Sequence, residues 1–300
     1  MYRSLLVPLD GSAFAEHALP FASSIARRAG ATLRVVRVHV PVASLYSGNE
    51  LVADLTLDAK IRENETAYLD GVVKRLAEIV PVPVSRILVD GPVADALREQ
   101  SLDSAADLVV MTTHGRGPLS RFWLGSVADT LVRHLPMPIL LVRPQEEAPT
   151  LAAEVTLRRI LIPLDGSDLA EQILGPATEL GSLTQAEFTL LRVVEPFMPP
   201  PHQLLGPLFD QLARKAQIYV DGVAERLRGQ SLRVETRVVI NRFAAAAIME
   251  EARVRATDLI ALETHGRGGL GRMLLGSVAD KVVRGALTPV LVHRPLAKTK

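Results

Sequence analysis

Apolar and polar positions alternate between short continuous hydrophobic runs and stretches with an apolar spacing near 3.6 residues, the pattern of strands joined by crossover helices. In the first half the runs predict strands at 4–8, 33–40, 85–89, 108–112 and 139–142. The second half gives 159–163, 187–194, 233–240, 259–262 and 290–292. Helical spacing fills 13–30 and 64–80, which stop at Gly30 and before Pro81. Strands that are apolar throughout, with such crossovers, imply a parallel sheet covered on both faces. Right-handed connections then give a doubly wound α/β sheet whose crevice lies beyond the carboxyl ends of the strands, where strand order reverses.

The pattern is written twice. Leu5-Leu6-Val7-Pro8-Leu9-Asp10-Gly11-Ser12 returns as Ile160-Leu161-Ile162-Pro163-Leu164-Asp165-Gly166-Ser167. Thr113-His114-Gly115-Arg116-Gly117 with Leu124-Gly125-Ser126-Val127-Ala128-Asp129 returns as Thr264-His265-Gly266-Arg267-Gly268 with Leu275-Gly276-Ser277-Val278-Ala279-Asp280. A period of about 150 residues is a domain length, whereas solenoid repeats run roughly 20–50 residues. Two tandem domains follow, 1–148 and 149–300, joined through the polar stretch 145–150.

Three groups should meet at the first crevice: Asp10 after the first strand, Val38 near the end of the second, and the Thr112 to Gly117 loop after the fourth. Asp10 there suits ribose hydroxyls, and it equally suits capping of the helix that follows. Gly115 and Gly117 allow close backbone approach. Gly125-Ser126 opens a helix over 127–135, with Ser126 as its N-cap and Asp129 in the capping-box position. A helix start beside a glycine loop attracts phosphate through unsatisfied N–H groups and the helix dipole, whereas Gly-Ser alone marks only a capped helix.

Composition and charge narrow the reading. The first half carries 15 Lys and Arg against 17 Asp and Glu, and the second 19 against 16, so neither has the basic excess of a nucleic-acid grip. No apolar run is long enough to suggest a membrane partner. There are no cysteines and no charged-then-apolar leader before the first strand, which points to the cytoplasm. Gly266-Arg267-Gly268-Gly269-Leu270-Gly271 spells a dinucleotide fingerprint, but it follows the fourth strand rather than the first. Neither glycine loop continues into Lys-Ser or Lys-Thr, so a Walker loop is excluded. His114, His265, His39 and His202 lack the partners of a catalytic triad or a zinc site at recognisable spacing.

With these motifs in hand, the chain resembles the universal stress proteins in a tandem two-domain form, over nearly its whole length. The resemblance implies two five-stranded domains of the adenine nucleotide alpha hydrolase-like kind. It also implies ATP, bridged by Mg²⁺ or Mn²⁺, and a regulatory stress-response role with little or no turnover. In that family a Gly, two residues, Gly, nine residues, Gly, Ser/Thr motif marks ATP-binding members. Carried over, Gly115, Gly125 and Ser126 form the triphosphate cradle, with Pro8, Thr112 and Val127 flanking it. Asp10 becomes the ribose ligand and Val38 the adenine contact. Asp165, Val193, Gly266, Gly276, Ser277 and Val278 are the second-half equivalents. The resemblance further implies that the last strands pair within one chain and that chains associate as homodimers.

Both copies depart from the motif at its first Gly, which is Thr112 in one and Glu263 in the other. A carboxylate facing phosphate costs on the order of 1–4 kcal/mol, so the second site is expected to be the weaker. Two other readings stay open: a slow ATPase, and an interaction module whose degenerate sites hold no nucleotide. The connections 41–57 and 196–210 are candidate lids.

Overall fold

The computed structural model describes residues 2–41, 55–113, 124–196, 206–264 and 275–294. It divides into two compact units, Met1–Val155 and Thr156–Lys300. The first contains β1 (Ser4–Pro8), α1 (Ala18–Ala29), β2 (Thr32–His39), α2 (Leu55–Ala77), β3 (Val84–Asp90), α3 (Val93–Asp103), β4 (Leu108–Thr112), α4 (Ser126–His134) and β5 (Ile139–Val142). The second repeats the order as β6 (Arg159–Pro163), α5 (Leu174–Ser182), β7 (Glu187–Val194), α6 (Gly206–Arg228), β8 (Arg233–Ile240), α7 (Ala244–Val254), β9 (Leu259–Glu263), α8 (Ser277–Gly285) and β10 (Val290–His293). Within the first unit the strands lie in the order β3-β2-β1-β4-β5, and within the second β8-β7-β6-β9-β10. All of these pairings are parallel.

The central apolar runs became strands because their side chains are buried whichever way they point, whereas the edge strands β3 and β8 keep mostly half-buried or exposed side chains. Leu5, Leu6, Val7, Leu33, Val35, Leu108, Val109 and Val110 are all 0% exposed. Strand order reverses between β1 and β4, and between β6 and β9, so the loops leaving those strands open at one end of each sheet. A carboxylate fixes that junction at the opposite end. Asp107, just before β4, accepts from the Arg3 and Ser4 amides at 2.6 and 3.1 Å. Asp258 does the same for Arg158 and Arg159, both at 2.9 Å.

Helix α2 begins at Leu55, nine residues before the apolar spacing indicates. Its first turns are polar and largely solvated, so helix-forming residues rather than burial extend it; Leu69, Val72 and Leu76 then supply the buried face. The candidate lids lie largely outside the described residues, at 42–54 and 197–205. The stretch 147–155 lies against α1 and the residue just before it. Glu147 O meets His17 Nε2 at 2.8 Å, the Val155 amide donates to Ser24 Oγ at 2.9 Å, and Arg28 pairs with Glu154. No described helix is long and apolar enough to cross a membrane.

The two cores differ by a matched exchange. Where the first unit has Ala26 on α1 and Leu33 on β2, the second has Gly181 on α5 and Phe188 on β7, both of the latter pair buried. A methyl group on Gly181 would run into the Phe188 ring and come within 2.8 Å of Ile160 Cδ1. Gly181→Ala should therefore destabilise the second unit by about 2 kcal/mol, and adding Phe188→Leu should recover most of the loss. Urea unfolding of the full chain checks this, and a cost below about 0.5 kcal/mol or an absent rescue contradicts it.

Candidate functional site

At the open end of the first sheet, Asp10 leaves β1 into a tight turn. Its Oδ1 accepts from the Ser12 amide at 2.9 Å and from Ser12 Oγ at 2.6 Å. Ser12 Oγ in turn accepts from the Ala15 amide at 3.2 Å, so Ser12 caps the first turn while Asp10 braces Ser12. Gly11 between them has φ +84°, and a side chain there would collide with the Arg37 guanidinium. Asp165, Gly166 and Ser167 repeat the turn with the same three distances. The cap alternative raised for Asp10 thus belongs to Ser12, and the Asp10 carboxylate lies at the strand end, half-buried.

On either side, β2 and β4 bring the other groups. Pro8 pairs with Val36 in register, and the Leu9 amide donates to Val36 O at 2.8 Å, which puts Val38 beside the Asp10 turn. Across β1, Thr112 ends β4 buried, and Thr113 O accepts from the Gly125 amide at 2.8 Å. That bond clasps the start of α4 to the strand end. The N-cap is Gly125, correcting the assignment to Ser126: Gly125 O accepts from the Asp129 amide at 2.9 Å, and Ser126 is the first helical residue. Asp129 bonds Arg133 at 2.8 and 2.9 Å instead of closing a capping box. The N-cap Gly125 offers no side chain to cap α4, so the leading N–H groups keep their pull on an anion. Ser126 is exposed and Val127 half-buried.

The second unit repeats the clasp, with Gly276 donating to Thr264 O at 2.7 Å and capping α8 before Ser277 and Val278. Val193 sits in β7 as Val38 sits in β2. Gly115 and Gly266 lie outside the described residues. Among the remaining expected residues, the structure gathers Pro8, Asp10, Val38, Thr112, Gly125, Ser126 and Val127 at one end of the first unit. It gathers their counterparts Asp165, Val193, Gly276, Ser277 and Val278 likewise.

Beneath the first crevice lies a polar network that the motifs did not indicate. Arg37 Nη2 pairs with Glu65 Oε1 at 3.0 Å, and its guanidinium lies 5.7 Å from the Tyr68 ring centroid. Fully buried His39 sets Nδ1 2.7 Å from Glu65 Oε2 and Nε2 3.3 Å from both Asp58 oxygens. Tyr68 donates to Glu16 at 3.0 Å, and Arg75 grips the same carboxylate. Burial, then Glu16, pushes the Tyr68 hydroxyl well above its ordinary pKa, keeping it a donor. The second unit keeps Arg192, Tyr219, Glu171 and Arg226 but replaces His39 and Glu65 with Val194 and Ala216. One signal was available: Glu65 falls on the α2 stripe of Leu69, Val72 and Leu76, where an acid needs a partner.

The second unit has a different charge at its crevice. Glu263 ends β9 buried, and its Oε1 lies 2.7 Å from Nδ1 of His293, its register partner on β10. Thr112 and Val142 occupy the matching places in the first unit. Burial raises the Glu263 carboxyl to about 7, more than the His293 contact and the Thr264 amide lower it. Among the described residues, no group of three or more His, Asp or Glu side chains is arranged to hold a metal ion.

The chain is a pair of doubly wound α/β domains, each with a helix start clasped to a strand end at its switch point. Comparison with known proteins gives the family. The universal stress protein family model matches residues 1–143 and again 156–294, so the chain belongs to the universal stress protein family. It is 28% identical over 300 residues to a universal stress protein of Mycolicibacterium smegmatis, covering 97% of each chain. A Mycobacterium tuberculosis universal stress protein is 30% identical over 198 residues, covering 64% of this chain and 63% of its own. Solved structures from Pseudomonas aeruginosa and Archaeoglobus fulgidus share the fold at TM-score 0.69 and 17% identity. They cover 98% and 97% of this chain, and 94% and 96% of their own.

Two outcomes follow. Glu65→Ala should cost the first unit about 3 kcal/mol, because it strands Arg37 and His39 without their shared carboxylate; urea unfolding that shifts by less than about 0.5 kcal/mol contradicts this. Glu263 has a folded pKa raised from 4.5 to about 7, so its protonated form favours the native state. Stability of the second unit should fall by up to about 3 kcal/mol as pH rises from 4.5 through 7, and Glu263→Gln should flatten that limb in melts across pH.

Proposed function

We propose that this universal stress protein is an adenine-nucleotide-binding regulator that takes ATP, with Mg²⁺ or Mn²⁺ bridging its phosphates, and turns it over little or not at all. The first unit is the principal site. The observation that carries the reading is the clasp of Gly125 to the end of β4, which holds a glycine-capped helix start at the end of the sheet where Asp10 leaves β1. Asp10 would meet the ribose, the Val38 backbone the adenine, and the amides around Gly125, Ser126 and Val127 the phosphates, with Pro8 and Thr112 forming the wall. Gly115 completes the cradle on the family pattern. Asp165, Val193, Gly266, Gly276, Ser277 and Val278 serve the second site. Family membership supports a stress-response role.

The remaining expectations belong to this reading. The protein works in the cytoplasm, binds neither nucleic acid nor membrane, pairs its domains 1–148 and 149–300 through their last strands, and forms homodimers. Light scattering of the full chain and of each half tests the assembly. Titration calorimetry tests the binding: with Mg²⁺ present, ATP should bind the full chain, and Gly125→Val should cost the first site at least about tenfold by blocking backbone approach. No binding at millimolar ATP sinks the reading and favours the interaction module.

A further inference from the structure

Glu263 and His293 form a built pair that the first unit lacks. They end neighbouring strands in register, the Glu263 side chain is 1% exposed, and its Oε2 is buried without a hydrogen-bond partner among the described residues. A buried carboxylate with one oxygen held and the other without a partner among the described residues is poorly solvated as an anion; taking up a proton relieves it. Among the described residues, the surrounding elements leave His293 as its titratable neighbour. Beside β9, β6 brings Ile160 and Leu161 alongside Leu259 and Ile260, and the turn Ala170–Ile173 carries Glu171, held by Tyr219 and Arg226. Beyond β6, the Oδ1 of Asp165 is engaged by Ser167.

The pair also touches the clasp. Thr264, next to Glu263, donates its amide to His293 O at 2.9 Å and accepts from Gly276, the N-cap of α8, at 2.7 Å. The acid therefore sits one residue from the bond that presents the helix start. Thr112 and Val142 flank the same clasp in the first unit, and neither titrates.

We infer that the second unit is a proton-linked phosphate site, in which Glu263, neutral and held by His293, admits a nucleotide's phosphates at the start of α8 and, once ionised, repels them. This rests on the nucleotide reading of the cradle. Binding then takes up a proton, and with the acid's midpoint near 7 the affinity should fall about tenfold between pH 6 and pH 8. The first unit has no such linkage, so the two sites part company as pH rises.

The test is calorimetry with ATP and Mg²⁺ at pH 6, 7 and 8, in two buffers of different ionisation enthalpy. Full-length protein carries either Gly125→Val, to read the second site, or Gly276→Val, to read the first. Comparing the two sites cancels the nucleotide's own titration. Relative to the first site, the second should lose about tenfold in affinity and take up about half a proton at pH 7. Glu263→Thr with His293→Val, the pair the first unit already folds around, should abolish that difference and strengthen binding at pH 8. Should that double variant fail to fold, Glu263→Gln, which keeps the shape, must give the same flat profile. A pH slope that survives these substitutions would assign the titration elsewhere, to His265 for instance, and overturn the inference. A second site as flat as the first overturns it while leaving the nucleotide reading intact; binding at neither site removes both.

Discussion

The pairing of β1 with β4 is the contact on which the first site depends. It is short, with Leu5 opposite Leu108 and Leu6 opposite Val109. Asp107 pins its far end by holding the Arg3 and Ser4 amides, so the two strands cannot slide without exposing a carboxylate or orphaning two donors. Because β1 is flanked by β2 on one side and β4 on the other, fixing this register fixes where Asp10, Val38 and Thr112 stand relative to one another. The Gly125 amide then ties α4 to the same place. Asp258 and the Gly276 clasp repeat the arrangement in the second unit.

Duplication makes the chain its own control. The turn at Asp10 and the turn at Asp165 have the same bonds at the same lengths, and both units keep the arginine, tyrosine and glutamate that brace it. The differences come in matched sets. Ala26 with Leu33 becomes Gly181 with Phe188; His39 with Glu65 becomes Val194 with Ala216; Thr112 with Val142 becomes Glu263 with His293. In each set the second change supplies the volume or the partner that the first one demands. The first unit thus places its buried ionisable pair beneath the crevice, and the second places it at the strand ends beside the helix start.

All ten strands among the described residues were legible, each to within a residue at either end, because continuous apolar runs between crossovers leave little freedom in a sheet whose central strands are buried on both faces. The start of α2 was not legible, since its first turns are solvated and carry no apolar period. Ser126 read as a cap from residue type alone; the clasp to Thr113 O makes Gly125 the last residue before the helix instead. His39 appeared to lack partners because Glu65 lies 26 residues away and Asp58 19, distances that mean nothing until α2 folds back over β2. Glu263 was legible as a carboxylate where the motif has Gly; its partner His293 was hidden because strand register, not spacing, brings them together.

Amide chemical-shift mapping tests the central claim most directly. With Mg²⁺ present, ATP titrated into labelled full-length protein should produce saturable shifts concentrated at residues 10–12, 38–39 and 125–127, the three places that the β1–β4 register brings together. Shifts that never saturate, or that spread over the surface without favouring those residues, would contradict the account.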